Sequence, residues 1–260
     1  AEAFDLRTRA VLTGFLNGTQ QEIALLYDPA VLTVRHAPEG TPGGEVPRFD
    51  GVFRIDLDID ETEDRVTFSK PPLEVAAVTA RGHELRLIGA HLKSKAPHGA
   101  ETRDQIMRPG IANRRKQLAQ AIWLRRRVRT HLEAGDSVIV MGDLNDGPGL
   151  DEYEHLFGRS SVEIVLGDGG PRLHDPNAVA TLGSKLGPHP TSTRFYLKGE
   201  KRFLQAMLDY IMVSPDLAAM GPRWRIWHPF DDPVCWKTPE LREALLVASD
   251  HFPVSLDIDL

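Results

Sequence analysis

The run Val138-Ile139-Val140-Met141-Gly142-Asp143-Leu144-Asn145-Asp146 constrains this chain more than any other. Val138 to Met141 is an unbroken apolar, largely β-branched stretch of strand length, so it reads as a strand covered on both faces. A chain with such a strand must place a layer above it and another below. Gly142 then frees the backbone, and Asp143 and Asn145 emerge at its carboxyl end. Side chains two apart in a strand point to the same side, so an acid and a neutral amide can converge on one point. That pairing suits phosphate chemistry with a divalent metal, although Gly, Asp and Asn after a strand also make ordinary turns.

Three other segments bear on that choice. Ser249-Asp250-His251 sets an acid beside an imidazole just before a terminal strand predicted over Pro253 to Leu260; it is either a surface turn or a presented pair. Leu85 to His91 is an apolar strand pattern ending in a histidine, followed by Leu92-Lys93-Ser94-Lys95. Met207 to Val213 encloses Asp209 in a strand that otherwise reads as buried. An unpartnered buried carboxylate is costly, so Asp209 requires a partner, and a histidine in need of orientation is the natural one.

The ordered set His91-Leu92-Lys93-Ser94, Gly142-Asp143-Leu144-Asn145, Leu208-Asp209-Tyr210 and Ser249-Asp250-His251 resembles the endonuclease/exonuclease/phosphatase superfamily, over roughly residues 22 to 260. With Asn113-Arg114-Arg115-Lys116-Gln117 it is most similar to the bacterial extracellular-nuclease-like branch. The resemblance implies one α/β domain across residues 1–260, a four-layer α/β/β/α sandwich of two mostly antiparallel sheets flanked by helices. It also implies roles. Asp143 would orient the attacking water and take its proton, and Asn145 would donate to the phosphate or the nucleophile. His251, held in one tautomer by Asp209, would contact the scissile phosphate or act as acid and base. His91 would touch the phosphate or the leaving oxygen, with Lys93, Ser94 and Arg114 as further substrate contacts. Asp250 and Asp143 would lie at the metal. In-line displacement at phosphorus builds charge on oxygens, so it needs a hard cation and fixed donors. Oxygen ligands without a cysteine-histidine cluster favour Mg2+ or Mn2+ over zinc.

One departure stands out. Relatives begin with a strand carrying an Asn and a second ending in Gln-Glu, whose carboxylate is the principal metal ligand. Here Phe4 to Leu16 is predicted as an amphipathic helix on Leu6, Ala10, Val11 and Leu12, and Glu22 to Asp28 as a strand. Glu22 opens its strand where the family's Glu closes one, so it is a poor substitute. The amino-terminal strands are therefore expected to be missing from this chain, through truncation or an unobserved segment, or a natural variant has lost part of its site. The principal Glu ligand is not identified.

Composition agrees with a globular domain: 260 residues, 41% hydrophobic, 26% charged. The longest apolar runs are strand-sized, so no transmembrane segment is predicted, and no leader is visible at the start. The one cysteine, Cys235, excludes an internal disulfide and fits a cytoplasmic or a secreted protein. The net charge of −6 argues weakly against nucleic acid, because local charge decides binding. Arg114, Arg115, Lys116, Arg125, Arg126, Arg127 and Arg129 lie on a helix predicted over about 111–132. The Arg125 to Arg129 cluster is a solvated face balanced by acids or a binding face; Arg114 meets a phosphate or an acid near the site. Gly51 to Ile59, Leu73 to Thr79 and Glu84 to His91 read as strands, the last two joined through Gly82. Thr191 falls in a loop that relatives turn toward substrate. Trp224, Trp227, Phe230 and Trp236 pack together or stack on bases. The reading is a metal-dependent phosphodiester hydrolase acting on nucleic acid. The alternatives are a phosphomonoesterase or phospholipid phosphodiesterase, and a binding module with a dead site.

Overall fold

A computed structural model describes residues 4–17, 21–57, 63–95, 103–147, 158–183, 189–197 and 201–260. At its centre lies β8 (Val138–Asp143), parallel to β7 (Glu84–His91) on one side and antiparallel to β11 (Asp209–Val213) on the other. Antiparallel β6 (Leu73–Thr79) and β3 (Leu32–His36) complete a five-stranded sheet in the order β11-β8-β7-β6-β3. The parallel step from β7 to β8 demands a long crossover, and α1 (Arg103–Ala134) supplies it. Its observed start is Arg103, upstream of the predicted one and of Pro109.

The sheet is buried on both faces, as the apolar run of β8 requires. On one face Ile88, Val138, Val140 and Met212 meet Leu118, Ala121, Leu124 and Val128 of α1. Trp123 of α1 is fully buried among Phe49, Phe53 and Phe68, with ring centroids 5.1–5.4 Å away. Also against α1 sits α2 (Ser161–Leu166), opened by a capping box between Ser160 and Glu163. On the other face Leu73, Val75, Leu85, Leu87, Ile139 and Val213 form a second core. Two separate ribbons cover it: β1 (Ala10–Thr13) with β2 (Ala24–Tyr27), and β12 (Arg223–Ile226) with β13 (Val254–Asp257). A half-open apolar cleft of about 170 Å³ is lined by Ile23, Leu25, Leu73, Leu87, Met141 and Gly142.

The chain is thus α/β with mostly antiparallel pairing, and its second β layer consists of two ribbons. The predicted amphipathic helix over Phe4 to Leu16 is a correction: Ala10–Thr13 is a strand paired with Ala24–Tyr27. Cross-strand pairing and packing of Leu12 on the second core outweigh the loose helical spacing. The strand expected over Gly51 to Ile59 is shorter, β4 (Phe53–Ile55), paired with β5 (Asp64–Val66); Asp58 and Ile59 lie outside the described residues. A further hairpin, β9 (Thr193–Leu197) and β10 (Arg202–Ala206), precedes β11. Among the described residues no helix is long and apolar enough to cross a membrane.

Candidate active site

Strand register brings the candidate residues together. Asp143, the last residue of β8, pairs with His91, the last of β7, and with Asp209, the first of β11. Three adjacent strand ends therefore present an imidazole and two carboxylates side by side. Gly142 makes the approach possible: its φ is +132°, and a Cβ there would collide with the Ala90 carbonyl oxygen on β7. His251 arrives from the far end of the chain through a β-bridge to Thr193 at the base of the β9–β10 hairpin.

Hydrogen bonds fix each group. The Nδ1 of His251 lies 2.9 Å from Oδ2 of Asp209. A carboxylate accepts, so the proton sits on Nδ1 and leaves Nε2 for chemistry. The hydroxyl of Ser192 donates to the same Oδ2 at 2.8 Å and accepts from the backbone N–H of Leu208 and of Asp209, both at 3.0 Å. Lys70 Nζ stands 3.3 Å from Nδ1 of His91. An ammonium has no lone pair to offer, so Nδ1 accepts and the His91 proton resides on Nε2, 3.7 Å from Oδ2 of Asp143. Asn145, at φ +51°, donates its backbone N–H to Oδ1 of Asp143 at 2.7 Å and its side-chain amide to Oδ2 at 2.8 Å. Asparagine tolerates that left-handed backbone better than most residues.

The electrostatics follow from crowding. Burial, reinforced by the charge of Asp209, pushes the Asp143 carboxyl up to about 6. Burial and the neighbouring charges of Lys70 and His251 push His91 down to about 4, so at neutral pH it is an uncharged donor. The hydrogen bond to Asp209 raises His251 above its ordinary value. Ligand atoms of Asp143, Asp209 and His251 all lie within 4.8 Å of one another, a set able to hold a cation.

Several predicted site residues stand elsewhere. Asp250 is exposed and outside that cluster; Asp209, assigned only to orienting His251, is inside it. The Asp250 carbonyl instead accepts from the N–H of Arg194. Of the two alternatives for Arg114, the structure shows the acid. Its guanidinium is buried and donates to Oδ1 of Asp146 at 2.7 Å, so it clamps an internal acid. Lys95 joins the same Asp146 oxygen at 2.7 Å. The Asn145 amide Nδ2 serves Asp143 and the carbonyl of Leu92. Lys93 and Ser94 remain in the half-buried loop beyond His91, its backbone held by Gln117 and Gln120. Thr191 meets Gln205 at 3.4 Å, one residue short of the Ser192 that reaches the site. Glu22 accepts from the Asn17 N–H at 3.5 Å and is not in the cluster. Sequence reasoning missed Lys70, Ser192 and Asp146. Only the place of Asp146 directly after Asn145, and that of Ser192 beside Thr191, left any signal.

Comparison with known proteins follows the same outline. The family described as "Endonuclease/Exonuclease/phosphatase family" matches residues 20–251. No curated protein sequence matches. Among solved structures, an AP endonuclease from Archaeoglobus fulgidus is 15% identical at a TM-score of 0.43, covering 72% of this chain and 65% of its own. The human Nocturnin catalytic domain with bound sulfate is 17% identical at 0.37, covering 90% and 63%. A conserved protein from Enterococcus faecalis V583, its function unknown, is 16% identical at 0.42, covering 96% and 77%. The chain thus spans less than two thirds of the length of the first two.

Proposed function

Because the chain belongs to the endonuclease/exonuclease/phosphatase family, we propose that it hydrolyses a phosphodiester by in-line attack of water, with nucleic acid as the substrate. The observation that carries this reading is the Asp209–His251 pair set against Asp143 at two adjacent strand ends. Asp143, basic for a carboxylate, orients the water and accepts its proton, and Asn145 holds both of its oxygens in place. His91 offers Nε2–H, and Lys70 a positive charge, to the phosphoryl oxygens on which charge develops. His251 delivers a proton through Nε2 while Asp209, itself fixed by Ser192, keeps its ring in register.

Asp143 and Asp209 would hold a divalent cation, with the His251 ring beside them keeping Nε2 for its proton, and two crowded carboxylates suit Mg2+ or Mn2+. When bound, such an ion supplies Lewis-acid stabilisation of phosphoryl charge. The function itself is tested by turnover with Mg2+ or Mn2+. Cleavage of plasmid or single-stranded DNA, abolished in Asp143→Ala, is the expected result. Turnover of bis-p-nitrophenyl phosphate without cleavage of any nucleic acid overturns the choice of substrate.

A further inference from the structure

Away from the site, the outer side of α1 meets the segment after α2 at a half-open pocket of about 190 Å³. Its floor is Ile122 and Ile164, and its charged lining is Arg125, Arg126, Arg129, Arg159 and Asp168. Four guanidinium groups thus share a small cavity with a single carboxylate. The nearest further acid, Glu133, reaches Arg129 only at 3.7 Å, and Asp168 is taken by Arg159. Among the described residues Arg126 takes part in no ion pair and sits over the Phe53 ring. Like charges one helical turn apart repel, so this arrangement is a cost to the helix unless something offsets it.

The donors are held in place. Arg126 lies over the Phe53 ring at 5.1 Å, and Phe53 stacks on buried Trp123 at 5.2 Å. Arg125 donates to the carbonyls of Leu166 at 3.3 Å and Pro171 at 2.7 Å. That path is open only because residue 167 is glycine, where a Cβ would strike the Arg125 guanidinium. Burial pulls the pKa of Arg125 down; the charge of Asp168 opposes this, while those of Arg129 and Arg172 add to it.

We propose that this pocket binds a phosphate-bearing anion, as a site separate from the catalytic one. Guanidinium forks match phosphate oxygens bidentately, and a cavity of this size takes one phosphate or pyrophosphate group. From Gln117, at the catalytic end of α1, to Arg126 the helix rises roughly 14 Å, so a polynucleotide held at the active site could present another of its phosphates here.

Calorimetric titration with inorganic pyrophosphate in EDTA tests this. The affinity should fall about tenfold or more in Arg126→Gln/Arg129→Gln, the loss expected for charge-assisted bonds. It should be unchanged in His251→Ala, and the arginine variant should turn over bis-p-nitrophenyl phosphate at the normal rate. Should the double variant fail to fold, Arg159→Gln, whose side chain is half exposed, carries the same test. No binding to the wild type, equal binding by the arginine variants, or loss of binding in His251→Ala overturns the proposal. A second titration identifies the source of the phosphate. If it belongs to a strand, a twenty-nucleotide oligothymidylate binds more tightly than pyrophosphate, and the double variant lowers its salt slope by about one. If it belongs to a small anion, the oligonucleotide shows neither effect.

Discussion

Replacing Arg114 with methionine separates a structural clamp from a phosphate ligand. Asp146 is fully buried, and its oxygens accept from Arg114 at 2.7 Å, Lys95 at 2.7 Å, and the backbone N–H groups of Ser161 at 2.5 Å and Gly147 at 2.9 Å. Burial alone would push this acid up, but the charges of Lys95 and Arg114 outweigh it and hold its pKa below the usual range. Removing one partner of a buried ion pair costs about 3–5 kcal/mol. Lys95 stays in place, so the lower end applies, about 3 kcal/mol. With a urea m-value of about 3 kcal/mol per molar, the midpoint of Arg114→Met should drop by about 1 M. Kinetics on the protein that remains folded should show an unaltered KM for bis-p-nitrophenyl phosphate, because methionine keeps the bulk of the side chain where no substrate reaches. Adding Asp146→Leu should recover much of the lost stability, since the orphaned charge is then gone. A midpoint unchanged within about 0.2 M together with a KM raised about tenfold would refute the clamp and restore Arg114 as a substrate contact.

Other consequences can be measured separately. Glu74 is buried against Arg127, and burial pushes its carboxyl up to about 7. Because the folded state then binds the proton more tightly than the unfolded one, stability should fall as pH rises from about 4.5 to about 7, by at most about 3 kcal/mol. Urea midpoints at pH 5 and pH 8 should differ in the wild type and converge in Glu74→Gln; a persistent difference in the variant would assign the slope to another group. Ser192→Ala takes one of two donors from Oδ2 of Asp209 and strands the N–H groups of Leu208 and Asp209, so about 1–3 kcal/mol should be lost. Its turnover should drop while substrate KM holds, and an unchanged kcat would remove Ser192 from the positioning of Asp209. Gly142→Ala should fail to give soluble folded protein, as judged by circular dichroism, because its Cβ has no room beside Ala90. A folded, active variant would mean that β7 and β8 can separate without losing the site.

Sequence and structure agree where local pattern and tertiary context reinforce each other. The β6, β7 and β8 strands were legible because their apolar runs have one length and one covering, and the Gly142 to Asn145 turn follows from β8 ending. The amino-terminal segment was misread because Ala10, Val11 and Leu12 are consecutive apolar residues, which helix and strand both admit, and only pairing with Ala24–Tyr27 decides. Within the basic stretch of α1, Arg127 looked like its neighbours, yet it alone is buried on Glu74 and the carbonyls of Glu39 and Pro47. Nothing in a run of arginines marks which one turns inward.

The same limit explains which site residues were hidden. His91, Asp143 and Asp209 sit at ends of strands, where an apolar run stops at a polar group, and that boundary is visible in one dimension. Lys70 and Ser192 lie in connections, and their relevance arises from register: pairing of Leu73 with Gly89 carries Lys70 to the His91 end of β7. Ser192 reaches Asp209 because its backbone pairs with Ala206 and Phe252, and these contacts join the β9–β10 hairpin to the His251 loop. Strand ends thus supply the groups that would act on the phosphate, and the connections supply those that hold or charge them. A search for chemistry in the sequence recovers the former set; the latter requires the sheet to be assembled first.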